Sequence, residues 1–265
     1  MNLTNKVVWV TGASSGIGEA ICYELAKHQC KIILSARRKS ELERVRKNLN
    51  IANKDVLILP IDLEQSNAAK GWVKTVVDQF GRIDVLINNG GISQKSLVAE
   101  TTEEVERKVM EVNYFGNVAL TKAVVPYMSK QQEGKIVVTT SILGKFGLPF
   151  HAAYAASKHA LYGFYDSYRL ELKKENIGVL LVAPGFINTN VAINSVTGDG
   201  SLLNEDSPAQ INGMKTDVFA RKLIKAIKNN RNHIYIGSKE LLSIPFKTIF
   251  PNIFYSIMLK LSKGK

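Results

Sequence analysis

Cysteine is nearly absent from this chain: its 265 residues include two, Cys22 and Cys30. Two thiols build no disulfide framework, and neither falls in a metal-ligand spacing. They read as reduced thiols of a chain that works in the cytosol or faces it. Cys22 lies within a helical pattern, where a small buried hydrophobe is the expected role rather than a reactive thiol. Histidine is scarce too, at four residues, and no cluster of His, Cys, Asp and Glu points to a metal. No run of about 18 apolar residues is present, so no spanning helix is expected. The opening Met1–Lys6 leads straight into a strand, without the apolar stretch and small-residue cleavage site of a signal peptide. Repeats, low-complexity tracts and Pro/Gly-rich linkers are also missing, which leaves one domain over 1–240 and a distinct tail over 241–265.

Acidic residues are outnumbered, 23 Asp+Glu against 35 Lys+Arg, for a net charge of +12. That excess favours an anionic partner: a phosphorylated cofactor, an acidic carrier protein or a membrane surface. Nucleic acid is not expected, because the basic residues are scattered and no recognition motif or interleaved aromatic run accompanies them. An apolar content of 45% and a charged content of 22% are ordinary for a globular protein with a sizeable core.

What is present is an alternation of strands and helices. Lys6–Val10 is apolar and β-branched, ends at Thr11-Gly12, and reads as a buried strand. A helix is predicted from about Gly16 to Gln29, then a strand at Lys31–Ser35. Further strands are predicted near 55–60, 83–87, 134–140, 177–183 and 233–236, with helices near 39–50, 64–80, 101–129, 151–175 and 214–229. Strands apolar throughout, alternating with amphipathic helices, indicate an α/β doubly wound, Rossmann-type parallel sheet covered on both faces. Such sheets take ligands at the carboxyl ends of their strands.

The turn Thr11-Gly-Ala-Ser-Ser-Gly-Ile-Gly18 stands at the first strand–helix junction, where glycines let the backbone approach a pyrophosphate at a helix N-terminus. Three glycines alone are a weak signal; the preceding strand and following helix supply the confirming context. The second strand ends Ser35-Ala36-Arg37-Arg38, without the acid that NAD sites place about 20 residues on to hold the ribose 2′-hydroxyl. A guanidinium there suits a 2′-phosphate, so NADP(H) is the expected cofactor, with Arg37 the first choice of ligand and Arg38 the second. Tyr154 and Lys158, at i and i+4 on a predicted helix, share one face. A phenol is a poor base near neutral pH, and a neighbouring cation brings it toward the working range. Ser141 follows the strand Lys135–Thr140 at its carboxyl end, where it could polarise a substrate oxygen.

Together these residues resemble the short-chain dehydrogenase/reductase family, in its single-domain branch, over essentially the whole chain. The matching positions are Thr11-Gly-x-x-x-Gly-x-Gly18, Asp62, Asn88-Asn89-Gly90-Gly91, Asn113, Ser141, Tyr154, Lys158 and Pro184-Gly185. The resemblance implies that Tyr154 exchanges a proton with the carbonyl oxygen, that Lys158 holds the nicotinamide ribose and lowers the phenol pKa, that Ser141 orients substrate, and that Asn113 anchors a water in a proton relay. It also implies cofactor contacts from Gly12, Ser14, Ser15, Gly16, Ile17 and Gly18, from Asp62 at the adenine with Leu63, from Asn89 and Gly90, and from Pro184, Gly185, Ile187 and Thr189, the last at the carboxamide. A dimer or tetramer is the family's expectation. Gly90 departs from the family's usual alanine, and the missing methyl is expected to loosen the backbone slightly.

Other features concern the substrate. His151 and His159 flank the catalytic helix, and His151 is expected to be a partly exposed residue at the helix start. The segment 186–214 is polar and Gly-rich around Thr197–Ser201, the composition of a mobile substrate lid. In the tail, a short helix from about Pro251 is expected to set Ile253, Phe254, Ile257, Met258 and Leu261 on one face, with lysines toward the end. That face suits either peripheral membrane contact or a lip for lipophilic substrate or another subunit. Asn88–Ser93 with Gln94, together with this tail, resembles the member-seven group of dehydrogenase/reductases, which implies lipophilic carbonyl substrates. The expected activity is therefore reduction of a lipophilic carbonyl, or oxidation of the corresponding secondary alcohol. The alternatives are a 3-oxoacyl-carrier-protein reductase, against which Ile92-Ser-Gln-Lys95 replaces the usual Thr-Arg-Asp, and a non-catalytic NADP(H) sensor, against which Asn113, Ser141, Tyr154 and Lys158 are all retained.

Overall fold

The computed structural model describes residues 1–205 and 207–262, with side chains to residue 260. Among the described residues, seven strands run in chain order as β1 (Val7–Thr11), β2 (Lys31–Ser35), β3 (Val56–Ile58), β4 (Val85–Asn88), β5 (Gly134–Thr139), β6 (Ile177–Pro184) and β7 (His233–Ile236). They form one parallel sheet in the order β3-β2-β1-β4-β5-β6-β7. The connecting helices are α1 (Gly16–Ala26), α2 (Lys39–Lys47), α3 (Ala69–Phe80), α4 (Glu103–Met110), α5 (Gly116–Gln131), α6 (Ala152–Glu171), α7 (Pro208–Ile211), α8 (Thr216–Lys228), α9 (Ser243–Ile249) and α10 (Pro251–Ser262).

The period-two alternation of side chains explains why the strands are apolar throughout. One set, including Val8, Val10, Ile32, Leu34, Ile87 and Val182, packs against Ile21, Cys22 and Leu25 of α1 and Phe219, Leu223 and Ile227 of α8. The alternate set, including Val7, Trp9, Ile33, Leu86, Ile136 and Val138, meets Val73 and Val76 of α3, Leu120 and Val124 of α5, and Leu161 and Tyr165 of α6. Trp9 is wholly buried and donates its indole N–H to Ser35 Oγ at 2.8 Å, so its one polar atom is satisfied. Cys22 and Cys30 are both buried; desolvation raises both thiols, Cys30 to about 12, in keeping with inert packing residues. Strand order reverses between β1 and β4, so the crevice beyond their carboxyl ends is the place for a ligand.

Two expectations need correction. The helix expected over 101–129 is two helices, α4 and α5, joined by a π-turn at Glu111–Phe115 that carries Asn113. The face expected along α10 is split: Phe254 is buried and packs with Met258 on Ile142, Leu143 and Phe146, whereas Ile253 and Ile257 are 54% and 39% exposed. Adjacent residues on a helix differ by about 100° of rotation, so the pair 254/258 and the pair 253/257 look different ways. Leu261 lies outside the described side chains. The segment 186–214 is laced to its surroundings. Val196 bridges Gln94 and Leu202, Val196 N–H donates to Ser93 O at 2.9 Å, and Thr102 N–H donates to Gly198 O at 2.9 Å. The Gly-rich turn within it is closed by Asp199, which accepts from Thr197 Oγ1 and from Ser201 N–H.

Candidate active site

The first half of the site is the turn from β1 into α1. Gly12 and Gly16 take φ of +66° and +56°, the left-handed region that glycine adopts without strain. A side chain on Gly18 would run into the Gly12 carbonyl, 2.7 Å from its carbon, so the helix can start this close to the strand only with glycine there. Ser15 is the N-cap in extended backbone and Ile17 sits in the first turn of α1. Arg44 of α2 braces the turn. Its guanidinium donates to Ser14 O at 3.1 Å and to both Glu19 oxygens at 2.7 and 2.9 Å, and those bonds hold the Glu19 carboxyl below its ordinary range. The cradle therefore fits a dinucleotide pyrophosphate: backbone amides at a helix N-terminus, on glycines that let the phosphates come close.

Along the rim, Arg37 and Arg38 are exposed just past the carboxyl end of β2, with Arg38 the N-cap of α2. Asp62 Oδ1 accepts the Glu64 N–H at 3.1 Å, shaping the turn after β3. Thr11 Oγ1 accepts the N–H groups of Asn89 and Gly90 at 3.0 and 2.9 Å, and Asn89 Nδ2 donates back to Thr11 O at 3.2 Å. These bonds tie the β4 turn to the β1 turn. At Gly90 the expected loosening is not what the packing gives. A Cβ there would lie 2.9 Å from Leu63 Cδ1, so the leucine methyl fills the space a family alanine would use.

The second half lies where β5 ends and α6 begins. Ser141, in extended backbone, accepts the Leu143 N–H at 3.1 Å and stands close enough to the Tyr154 phenol to favour its charged form. Lys158 Nζ donates to Thr139 O at 3.0 Å and lies 5.6 Å from the Tyr154 ring centre. Asn113 is fully buried; its side chain accepts the Ile92 N–H at 2.8 Å and donates to Ile92 O at 2.9 Å and Ser157 Oγ at 3.0 Å. Ser157 Oγ in turn donates to Tyr154 O at 2.7 Å, so Asn113 couples the β4 segment to the helix turn that carries the tyrosine. Gly91 has to be small, since a Cβ would come 2.9 Å from Asn113 Oδ1 and 3.6 Å from Lys158 Nζ.

Burial governs the electrostatics of the pair. It pushes the Tyr154 phenol up, opposed in part by Ser141, and lowers the Lys158 ammonium to about 8.

The third wall begins at Pro184-Gly185. Thr189 Cγ2 stands 3.2 Å from the place of a Cβ on Gly16, which brings the segment after β6 against the β1 turn, and Ile187 bridges Met214. Glu240, in the turn after β7, accepts the Phe186 N–H at 3.0 Å and the Ser238 N–H at 2.9 Å through Oε1. A Cβ on Gly185 would fall on that carboxylate, 2.8 Å from its Cδ. His151 is a half-exposed N-cap of α6 whose Nδ1 pairs with Pro149 O at 2.9 Å, and His159 is exposed and bonded to Ala155 O. Arg44 and Glu240 were not legible in the sequence. Each acts on a backbone group remote in the chain, and no local motif surrounds either.

A family model for short chain dehydrogenase matches residues 6–199, and the chain belongs to the short-chain dehydrogenase/reductase family of oxidoreductases. Within it, the chain is 41% identical over 265 residues to a dehydrogenase/reductase SDR family protein 7-like of Anopheles gambiae, covering 98% of this chain and 84% of that one. Among solved structures, a short chain dehydrogenase/reductase of Burkholderia phymatum in complex with NAD superposes with a TM-score of 0.85 at 24% identity, over 96% of both chains. An alcohol dehydrogenase of Thermococcus sibiricus complexed with 5-hydroxy-NADP gives a TM-score of 0.75 at 25% identity, over 88% of this chain and 97% of that one. Among the described residues, no helix is long and apolar enough to cross a membrane.

Proposed function

We propose that this protein is an NADP(H)-dependent reductase of a lipophilic ketone or aldehyde, with Tyr154 as the general acid. The observation that carries the reading is the convergence of Ser141, Tyr154, Lys158 and Asn113 beyond the carboxyl ends of β4 and β5, opposite the glycine turn. Bound NADPH would supply a hydride to the carbonyl carbon. Ser141 Oγ and the Tyr154 phenol hold the carbonyl oxygen, and the phenol gives it a proton as the carbon is reduced, leaving a secondary or primary alcohol. Lys158, fixed by Thr139 O, binds the nicotinamide ribose and lies next in line to return a proton to the phenolate. Asn113 keeps Ile92 and the Tyr154 turn in register around that line. The reverse reaction uses the same groups with the proton moving the other way.

Both NAD and an NADP derivative occur in solved relatives of this fold, so the fold does not choose between them. The choice of NADP(H) rests on Arg37 and Arg38 past β2 and on the missing acid there. The apolar wall made by Phe146, Phe254 and Met258 beside Tyr154 supports a lipophilic substrate. The carrier-protein reductase alternative gains nothing from the matched relative. A homodimer or homotetramer in the cytosol or at a membrane surface is the working assembly.

The test is a paired measurement on purified protein. NADPH is expected to bind at least tenfold more tightly than NADH, about 1.4 kcal/mol, and Arg37→Ala to remove most of that preference; equal affinities overturn the cofactor choice. Tyr154→Phe is expected to lower turnover by roughly 10²–10⁴ while NADPH affinity persists, and near-normal turnover in that variant rules out the mechanism.

A further inference from the structure

We propose that Ser40 is a phosphorylation site for a basophilic serine kinase, and that phosphate there weakens NADPH by competing for the guanidinium groups that would hold the 2′-phosphate. The modification site stands on its own observations. Its effect on the cofactor rests on the placement of NADP(H) at Arg37 and Arg38.

The first observation is the order of residues. Ser40 follows Arg37-Arg38-Lys39, so guanidinium groups stand three and two residues before the hydroxyl. Kinases that choose substrates by charge hold such a pair on carboxylates, to which arginine bonds in a specific, bidentate way. No other serine or threonine in the chain has an arginine three residues before it. A kinase of this class therefore has one preferred acceptor here.

The second observation is access. Arg37, Arg38, Lys39 and Ser40 are all exposed. Arg38 is the extended N-cap of α2, and Ser40 is the second residue of that helix. The helix ladder starts with Leu42 N–H on Arg38 O at 3.2 Å, so the N–H groups of Lys39 and Ser40 lie outside it. Drawing the segment into a kinase cleft opens a single terminal turn, the part of a helix that frays most readily.

The kinase moves the γ-phosphoryl group of ATP to Ser40 Oγ. The bond from the γ-phosphorus to its bridging oxygen breaks, a new O–P bond forms, and ADP and the hydroxyl proton leave. The product carries about −1.5 to −2 charge near pH 7 and three strong acceptor oxygens. Arg37 and Arg38 are its near neighbours in the chain. Arg44 lies one turn further along α2, and i,i+4 spacing sets the two Cβ atoms about 5–6 Å apart. Arg44 is also the brace of the cofactor turn, through Ser14 O and Glu19. The acids beside Ser40 are already paired, Glu41 with Arg44 and Glu43 with Lys39. Phosphoserine thus draws on the guanidinium groups proposed for the 2′-phosphate and sets a like charge beside it. NADH carries a hydroxyl at that position and escapes the clash.

The experiment treats the full chain with ATP and the catalytic subunit of cyclic-AMP-dependent protein kinase, maps phosphate by peptide mass spectrometry, and titrates both forms with NADPH and NADH. Phosphate is expected on Ser40. NADPH affinity is expected to fall at least tenfold, about 1.4 kcal/mol, with NADH affinity changed far less. The loss is expected to shrink in about 0.5 M salt, which screens exposed charges. Ser40→Ala, treated alongside, should take no phosphate at this segment and keep the parental affinity for both cofactors. No phosphate on Ser40, or equal losses of NADPH and NADH affinity, overturns the proposal. Equal binding of the two cofactors by the unmodified protein refutes the NADP(H) reading and with it the proposed competition, while the peptide masses decide the modification site separately.

Discussion

Adding one methyl at Gly185 provides a sharp test of how the nicotinamide side of the site is held. The new Cβ would lie 2.8 Å from Glu240 Cδ and closer still to Oε1, whereas an ordinary carbon–oxygen contact needs well over 3 Å. The carboxylate must therefore swing away and release the Phe186 and Ser238 N–H groups that it accepts at 3.0 and 2.9 Å. Gly185 is not among the residues of positive φ, so the added methyl strains no dihedral and its effect is steric alone. A hydrogen bond to a charged group contributes roughly 1.5–3 kcal/mol. Glu240 is half-exposed and water replaces part of the loss, so we expect Gly185→Ala to cost about 1–3 kcal/mol in unfolding free energy.

The same movement frees the start of Ile187–Thr189, so cofactor affinity is expected to fall several-fold. Glu240→Ala removes the collision together with the bonds. In a double-mutant cycle the methyl should then cost close to nothing, giving a coupling of about 1–3 kcal/mol. Urea unfolding and NADPH titration of the four proteins measure both quantities. Additive costs, within about 0.5 kcal/mol, would refute the claim that the Gly185 constraint is the Glu240 carboxylate.

Gly18→Ala should abolish dinucleotide binding in a titration and lower the unfolding free energy in urea, because its Cβ meets the Gly12 carbonyl and not a movable side chain. Burial lowers Lys158 to about 8 from 10.5, so between those values the unfolded chain binds more protons than the native one, and stability should rise with pH from about 8 toward 10. Lys135, buried at the opposite end of β5 and also lowered to about 8, contributes with the same sign. Lys145, also lowered by desolvation, adds to the same slope. Lys158→Met should therefore reduce the slope of unfolding free energy against pH rather than abolish it; an unchanged slope would count against a desolvated Lys158.

Most of the sheet was legible because its signals are local. Val7–Thr11 is apolar and β-branched, and the glycine turn follows at once. Tyr154 and Lys158 could be paired from spacing because a helix places i and i+4 together wherever it lies. The unread parts depend on contacts between distant segments. Nothing in Glu111–Phe115 marks a π-turn, since no glycine or proline interrupts it, yet it puts Asn113 against Ile92 and Ser157. Arg44 looks like one cation among several on α2, and only the approach of α1 gives it Glu19 and Ser14. Leu63 fills the space above Gly90 from another turn altogether. On α10 the apolar residues were identified correctly, but which of two adjacent stripes faces inward is decided by Ile142, Leu143 and Phe146, about a hundred residues earlier.

The protonation state of the site follows from the same long-range packing. Spacing alone makes Lys158 the agent that lowers the Tyr154 phenol. Folding buries both groups, and desolvation disfavours the phenolate on one and the ammonium on the other. On the proposed mechanism, the neutral phenol beside Ser141 would give its proton to the carbonyl oxygen, which suits reduction from the resting state. Oxidation would need the phenolate, and Lys158, lowered to about 8 yet still mainly cationic near neutral pH, would stabilise it. A further positive charge beside Tyr154, such as an oxidised nicotinamide ring carries, would favour the phenolate when that direction is required.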